Sequence, residues 1–221
     1  MFINAGLEKI MSEIVMYGRK MLEDGLTAGS GGNLSVYLRE ENIIAITPSG
    51  LGYKQMNYDD IVLLDGEGRQ IRSGLKPSSE FGFHIAVYRA RPDVSAVVHT
   101  HSPYATTFAC LRMEIPAVHY LVGFAGRNVP VAPYATFGSE ELAAFVGEHI
   151  SDRNAVLLAN HGLVAAGNDL AAAYNVALEV EFTARIFHQS LAIGKPFIID
   201  DDEMDRVIKK FETYGKPSVA H

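Results

Sequence analysis

The sequence predicts a single α/β domain whose central sheet is mixed but largely antiparallel and is covered by helices on both faces. Apolar segments of strand length alternate irregularly with segments of helical periodicity, and the early strands are joined by turns. No linker, internal repeat or low-complexity segment divides the 221 residues, a length that one domain accommodates. We therefore expect one domain over residues 1–221.

The first half of the chain begins with a helix over residues 4–24, in which apolar side chains recur at helical spacing before Asp24-Gly25 ends the helix. A glycine-rich loop, Thr27–Asn33, follows this helix. Short apolar segments then predict three strands, and Lys76–Glu80 opens the next helix. The three strands are predicted at residues 34–38, 43–47 and 61–64.

The second half is organised around a short buried strand that ends in His99-Thr100-His101. The Ser-Pro pair directly after it predicts the N-cap and first position of a helix through about residue 111. Ser139 and Asp169 are good N-cap residues for two later helices. The remaining predicted elements are a loop at 123–138 with a short strand around 129–131, strands at 156–159 and 163–166, and helices at 139–150, 169–192 and 202–214.

Composition and charge restrict the function. The chain is 48% hydrophobic and 20% charged, as ordinary globular domains are. A formal net charge of −7 argues against nucleic acid and anionic membranes as partners, although backbone amides can still bind a phosphorylated small molecule. The single cysteine, Cys110, lies in an apolar helical segment and is expected to be buried. One cysteine excludes an intramolecular disulfide and indicates a reducing, cytoplasmic location.

Histidines at strand ends indicate a metal site. His99 and His101 are two residues apart at the end of a strand, so their side chains point to the same face. Asn160-His161-Gly162 ends another strand in the same way and offers a third imidazole. Three histidines with an open fourth position are typical of catalytic zinc. The alternative is ordinary hydrogen bonding at the strand ends. His84, His149 and His188 are instead expected to pack on helix surfaces or in the core.

Three polar turns in the first 80 residues have the chemistry of a phosphate site, because they present backbone N–H groups and hydroxyls at strand ends or helix starts. These turns are Gly32-Asn33, Ser49-Gly50 and Ser78-Ser79. Glu80 directly follows the last of them at the start of a helix, where a carboxylate can simply cap the helix. It becomes a candidate general base if the phosphate turns and the metal are neighbours.

Eight short motifs carry a family resemblance by their order along nearly the whole chain. They are Gly32–Ser35, Ile46–Gly50, Pro77–Glu80, His99–His101, Ile115–Tyr120, Ala132–Gly138, Asn160–Gly162 and Lys210–Gly215. With these motifs the chain resembles the class II (zinc-dependent) aldolase, ribulose-phosphate epimerase and adducin-head family. The aldolase branch is the most similar. The resemblance implies the fold of that family over the single domain.

The resemblance also implies roles for individual residues. His99, His101 and His161 are expected to bind one Zn²⁺ per chain. Glu80 is expected to complete the resting metal site and to act as the acid and base. The expected phosphate-binding residues are Gly32, Asn33, Ser49, Gly50, Ser78 and Ser79. The residues expected to face the aldehyde half of the substrate are Tyr120, Phe137 and Tyr214, with tyrosines contributed across a subunit interface. Family members of this type are cyclic homotetramers.

The implied activity is reversible cleavage of a ketose 1-phosphate to dihydroxyacetone phosphate and an aldehyde. L-Fuculose 1-phosphate is the first expected substrate, and a 5-deoxy- or 5-methylthio-pentulose 1-phosphate is the second. The epimerase branch uses an aspartate in the middle of the chain, whereas no acidic residue occurs here between Glu114 and Glu140. The same fold also suits a sugar-acid phosphate decarboxylase, a methylthioribulose-phosphate dehydratase and a metal-free, adducin-like interaction domain. Retention of His99, His101, His161 and Glu80 counts against the last of these.

Overall fold

The structure is a computed structural model that describes residues 5–72 and 74–213. A seven-stranded sheet forms its centre. The strands are β1 (Asn33–Leu38), β2 (Ile43–Ile46), β3 (Val62–Asp65), β4 (Ala96–Thr100), β5 (Val131–Ala132), β6 (Ala155–Leu158) and β7 (Gly162–Gly167). Their order across the sheet is β3-β2-β1-β4-β7-β6-β5. All neighbours are antiparallel except β5 and β6. The predicted largely antiparallel sheet is therefore confirmed.

Helices cover both faces of this sheet, as predicted. They are α1 (Ala5–Glu23), α2 (Phe81–Ala90), α3 (Pro103–Leu111), α4 (Glu140–His149), α5 (Leu170–Ile193) and α6 (Asp201–Phe211). Because successive strand residues point to opposite faces, neighbouring residues of β4 belong to different cores. Val98 packs with residues of α1, α3 and α5. Val97 packs with residues of α2 and α4.

Local capping explains where several helices begin. The Ser139 hydroxyl accepts a hydrogen bond from the Leu142 amide at 3.1 Å, and Asp169 accepts one from the Ala172 amide at 2.7 Å. These are the two N-caps that the sequence predicts. Ser102 occupies the N-cap of α3, but its side chain makes no capping hydrogen bond. The carboxylate of Glu181 accepts from the first amides of α3 instead, because α5 packs beside it.

Some predicted details differ from the structure. The short strand expected around 129–131 is Val131–Ala132, and Val129 makes an isolated bridge to Ile115. Residues Tyr120–Phe124 form a short 3-10 helix that periodicity does not reveal. The expected last helix, 202–214, is Asp201–Phe211 in the structure, and position 214 lies outside the described residues. Cys110 is exposed rather than buried, because α3 turns Ala105, Phe108 and Ala109 toward the core.

Among the described residues, the helices are all too short or too polar to cross a membrane.

Candidate metal centre and active site

Three imidazoles meet at the end of β4 and the start of β7. His99 lies in β4, His101 directly follows it, and His161 directly precedes β7. Each offers a ring nitrogen, and these nitrogens all lie within 4.8 Å of one another, so the three side chains can hold one metal ion. His99 is fully buried, whereas His101 is exposed. The cluster is therefore open to solvent on the His101 side, as a catalytic site must be.

A backbone contact directs the His99 ring toward this centre. Nδ1 of His99 lies 2.9 Å from the carbonyl oxygen of Leu163, so Nδ1–H donates to it and Nε2 keeps its lone pair. Nε2 of His99 lies 3.0 Å from Nε2 of His101. A shared metal ion would satisfy both nitrogens. The pairing of β4 with β7 sets this arrangement, because it places Leu163 opposite Thr100, next to His99.

Glu80 completes the cluster. Its Oε2 lies 3.4 Å from Nε2 of His99, and its Oε1 lies 3.2 Å from Nε2 of His161. Glu80 occupies the N-cap of α2, but its side chain makes no capping hydrogen bond, so the simple capping interpretation is wrong. Oε1 is buried and has no hydrogen-bond partner among the described residues. Three imidazoles and a free carboxylate oxygen fit a zinc-type donor set.

Burial decides the protonation of these groups. Desolvation lowers the pKa of His99 well below its ordinary value, and the neighbouring His161 and His101 lower it further. Burial also lowers the pKa of His101 and of His161, although Glu80 opposes the shift at His161. All three imidazoles are therefore neutral near pH 7, which is the form that binds metal. Burial raises the pKa of Glu80, against the opposing effects of His161 and Asn33.

The three polar turns expected to bind phosphate converge beside this cluster. The Thr47 hydroxyl accepts from the Leu34 amide at 3.2 Å, and the Thr47 carbonyl accepts from the Ser78 amide at 3.1 Å. Pro48 and Pro77 form a β-bridge between the second and third turns. Gly32 and Gly50 have positive φ, as tight turns require. Ser49, Gly50 and Ser79 are exposed, while Ser78 is buried.

The Asn33 side chain connects Glu80 to His84, a contact that the sequence did not reveal. Its Nδ2 donates to Oε2 of Glu80 at 2.9 Å, and its Oδ1 lies 2.5 Å from Nε2 of His84. The side-chain amide is therefore occupied by Glu80 and His84, and the backbone of Asn33 pairs with His99 between β1 and β4. His84 was expected only to pack, yet it connects to Glu80 through Asn33. The signal was the spacing of Glu80 and His84, four residues apart on one helix face.

The structure describes two of the three residues expected on the aldehyde side, and both are exposed. Tyr120 is 49% exposed and contacts the rings of His119 and Phe211. Phe137 is 66% exposed. It is adjacent to Gly138, whose positive φ and close approach to the Ser79 carbonyl leave no room for a side chain. Tyr214, the third of these residues, lies outside the described part of the chain.

Comparison with known proteins places the chain in a family. A model of the Class II Aldolase and Adducin N-terminal domain family matches residues 12–188. The chain belongs to this family. It is 51% identical to the 5-deoxy-D-ribulose 1-phosphate aldolase of Bacillus thuringiensis serovar kurstaki, over 95% of this chain and 99% of that protein. It is 46% identical to a 5-methylthioribulose-1-phosphate/5-deoxyribulose-1-phosphate aldolase of Rhodospirillum rubrum, over 89% of this chain and 88% of that protein.

A solved structure agrees with these class II aldolase relatives. The solved L-fuculose 1-phosphate aldolase superimposes with a TM-score of 0.91 at 41% identity, covering 95% of this chain and 98% of that one. The expected family, fold and aldolase class are confirmed, and the chain is an enzyme of the lyase type. The family is metal-dependent, and the three-histidine cluster supplies the corresponding site.

Removal of one imidazole tests this centre. We expect the purified protein to bind one divalent ion per chain and His101→Ala to lose most of it while keeping its fold, because His101 lies at the exposed side of the cluster. Metal content by mass spectrometry after dialysis, with circular dichroism for the fold, measures both effects. His149→Ala is the matched control, since His149 bonds the Phe145 carbonyl on its own helix. A full complement of tightly bound metal in His101→Ala would show that the ligand assignment is wrong.

Proposed function

We propose that the chain is a cytoplasmic enzyme that uses Zn²⁺ to cleave a ketose 1-phosphate reversibly into dihydroxyacetone phosphate and an aldehyde. The observation that carries this proposal is the joint position of the three-histidine cluster, Glu80 and the phosphate turns. A ketose 1-phosphate presents its phosphate and its reacting carbons close together, so it needs an anion site beside an acid–base centre. The single cysteine of the sequence supports the reducing location.

The identities of the named relatives support a ranking of the candidate substrates. We place 5-deoxy-D-ribulose 1-phosphate first, because a relative of that name is 51% identical over almost the whole chain. 5-Methylthioribulose 1-phosphate and L-fuculose 1-phosphate follow, since the relatives so named are 46% and 41% identical. This order reverses the expectation from the sequence motifs alone, which put L-fuculose 1-phosphate first.

The phosphate would be held by the three converging turns. Positive φ at Gly32 and Gly50 turns the backbone sharply at two of them, and the exposed Ser49 and Ser79 offer hydroxyls to solvent. The third turn directly precedes α2, whose positive dipole end favours an anion. Fixing the phosphate there would orient C2 and C3 of the substrate toward Glu80 and the histidines.

The proton steps would fall to Glu80 and a tyrosine. Cleavage breaks the C3–C4 bond, removes the proton of the C4 hydroxyl and leaves an electron pair on C3. A tyrosine, Tyr120 or Tyr214, would take the C4 hydroxyl proton, and Glu80 would deliver a proton to C3. Burial raises the pKa of Glu80, which suits a group that must give and take a proton near neutral pH. Zn²⁺, when bound by His99, His101 and His161, supplies Lewis-acid stabilisation of the charge that develops beside C2.

We propose further that the active site is completed by a second copy of the chain in a homotetramer. Tyr120 and Phe137 are the residues assigned to the aldehyde side, and both expose a large aromatic surface. Large exposed aromatic side chains are typical of interaction sites. A neighbouring subunit would bring such residues to the open side of the cluster, where His101 is exposed.

Condensation kinetics test the activity and the substrate order together. With dihydroxyacetone phosphate as donor, we expect carbon–carbon bond formation with small aldehydes, and the highest kcat/KM with acetaldehyde. That aldehyde regenerates the 5-deoxypentulose 1-phosphate. The products are measured by chromatography and mass spectrometry, with metal-stripped protein as the control. A higher kcat/KM with lactaldehyde would move L-fuculose 1-phosphate to first place, and no condensation with any aldehyde would refute the proposed function.

Replacing the acid–base group separates chemistry from binding. Glu80→Gln keeps the shape of the side chain, so we expect it to fold, to retain much of its zinc and to bind a phosphorylated substrate analogue. Its turnover should fall about 10²–10⁴-fold, the usual worth of a positioned acid or base. It should also fail to exchange a C3 proton of dihydroxyacetone phosphate with deuterated solvent, as measured by NMR. Exchange at the wild-type rate would exclude Glu80 as the proton carrier.

Complementation tests the shared active site. We expect Tyr120→Phe and His101→Ala to be nearly inactive separately, and Tyr120→Phe to keep its affinity for a phosphate ligand. If Tyr120 acts on the neighbouring subunit's site, mixed oligomers contain some sites with both residues intact. Activity should therefore partly return after subunit exchange, which native mass spectrometry verifies. Confirmed exchange without any recovery would show that each site is built within one chain.

A further inference from the structure

A continuous chain of buried side chains leads from Glu80 into the core between β1 and α2. Oε2 of Glu80 accepts from Asn33, and Asn33 contacts His84. Nδ1 of His84 lies 2.7 Å from the Ser35 hydroxyl, and that hydroxyl lies 2.6 Å from the hydroxyl of Tyr88. All five side chains are buried. This series of hydrogen-bonded side chains ends at Tyr88, about two helical turns from Glu80.

The periodicity of the two elements builds this chain. Glu80, His84 and Tyr88 are spaced by four residues, so they lie along one side of α2. Asn33 and Ser35 are two residues apart on β1 and point to the same face of the sheet. The two rows interdigitate, and each strand side chain bridges two helix side chains.

The hydrogen bonds of this chain have one direction. Because the Glu80 carboxylate accepts from Nδ2 of Asn33, the Asn33 Oδ1 must accept from His84, so the proton of His84 is on Nε2. Full burial lowers the pKa of His84 to about 3, so the ring is neutral and its Nδ1 is an acceptor. The Ser35 hydroxyl then donates to Nδ1 and accepts from the Tyr88 hydroxyl. Every donor therefore points toward Glu80.

We propose that Tyr88, Ser35 and His84 are positioning residues that act through Asn33 on the Glu80 carboxylate. They fix the orientation of the Asn33 amide, and the amide holds Oε2. Oε1 is left without a hydrogen-bond donor among the described residues, 3.2 Å from Nε2 of His161 and facing the metal centre. The series of hydrogen bonds from Tyr88 to Glu80 thus selects which carboxylate oxygen is free for metal and substrate. The kinetic consequence of this inference depends on the proposed function, whereas the hydrogen-bond direction does not.

The competing interpretation is that these polar groups only satisfy one another in the core. The two interpretations differ when one link is removed. Without the Ser35 hydroxyl, Nδ1 of His84 loses its donor, and the ring can move its proton from Nε2 to Nδ1. Nε2 then becomes an acceptor, which favours a reversed Asn33 amide with its oxygen against the Glu80 carboxylate. Glu80 would lose its donor although it lies at the far end of the chain.

Nitrogen NMR tests the direction without any substrate. In zinc-loaded protein labelled with ¹⁵N-histidine, we expect His84 to carry its proton on Nε2 and to accept a hydrogen bond at Nδ1. The signals of His84 are assigned by their loss in His84→Gln. In Ser35→Ala, the Nδ1 signal should shift and the Nδ1–H tautomer should appear. A proton on Nδ1 in the wild-type protein, or identical spectra in Ser35→Ala, would overturn the inference.

Kinetics with matched controls test the consequence. We expect Ser35→Ala to lower kcat about 10–100-fold, the usual effect of removing a group that orients an active-site ligand. Tyr88→Phe should lower kcat less, because the Ser35 hydroxyl can still donate to Nδ1 of His84. The KM of both variants should change much less, because the turns at Ser49-Gly50 and Ser78-Ser79 are untouched. Thr183→Val and Tyr174→Phe are the controls, since each removes a hydroxyl from a similarly buried residue remote from Glu80. Thermal unfolding of all four variants measures the cost to stability.

The outcomes separate this inference from the proposed function. If the control variants lose as much kcat as Ser35→Ala, the loss reflects general destabilisation and the positioning role is refuted. If the wild-type protein cleaves no ketose 1-phosphate, the proposed function fails. In that case the nitrogen spectra of His84 still decide whether the hydrogen-bond donors of the series from Tyr88 to Asn33 point toward Glu80.

Discussion

The antiparallel pairing of β4 with β1 and β7 is the constraint on which the candidate active site depends. It places Asn33 opposite His99 on one side and Val164 opposite His99 on the other. The approach is so close that a side chain at Gly162 would overlap the Thr100 carbonyl, and one at Gly32 would overlap the His99 carbonyl. Glycine is the residue that permits such backbone contact. The candidate metal ligands thus lie at the centre of the sheet, where strands pair on both sides.

Burying so many polar groups beside the core is costly unless each finds a partner. The row from Tyr88 to Asn33 meets this requirement internally, and the backbone carbonyl of Leu163 meets it for His99. The exception in this network is Oε1 of Glu80, which faces the histidines without a donor among the described residues. A buried oxygen without a hydrogen-bond donor, in a network whose other groups are paired, indicates the position of a ligand that the polypeptide itself does not supply.

One side of the candidate site is buried in the protein and the other side is exposed to solvent. On its inner side, α2 and β1 bury Glu80, Asn33 and His84. On its outer side, His101, Ser49 and Ser79 are exposed. Burial keeps the imidazoles neutral and raises the pKa of Glu80, whereas exposure admits a polar substrate. The chemistry of the site requires both environments side by side, which the end of a buried strand provides.

Local patterns in the sequence determined much of this protein. Short apolar runs predicted most of the strands, and the two-residue spacing of His99 and His101 predicted that they share a face. Capping chemistry predicted where the helices after Ser139 and Asp169 begin. The order of short motifs predicted the family. These features are readable because they depend on residues close together in the chain.

Only the tertiary structure decided which distant residues meet. The partnership of His161 with His99 depends on the register of β4 against β7. Whether Glu80 caps a helix or faces a metal centre depends on where α2 lies on the sheet, and the role of His84 depends on its contact with β1. Cys110 was misjudged because an apolar helix does not reveal which of its sides faces the core. Register and packing are properties of contacts between segments, so no single segment contains them.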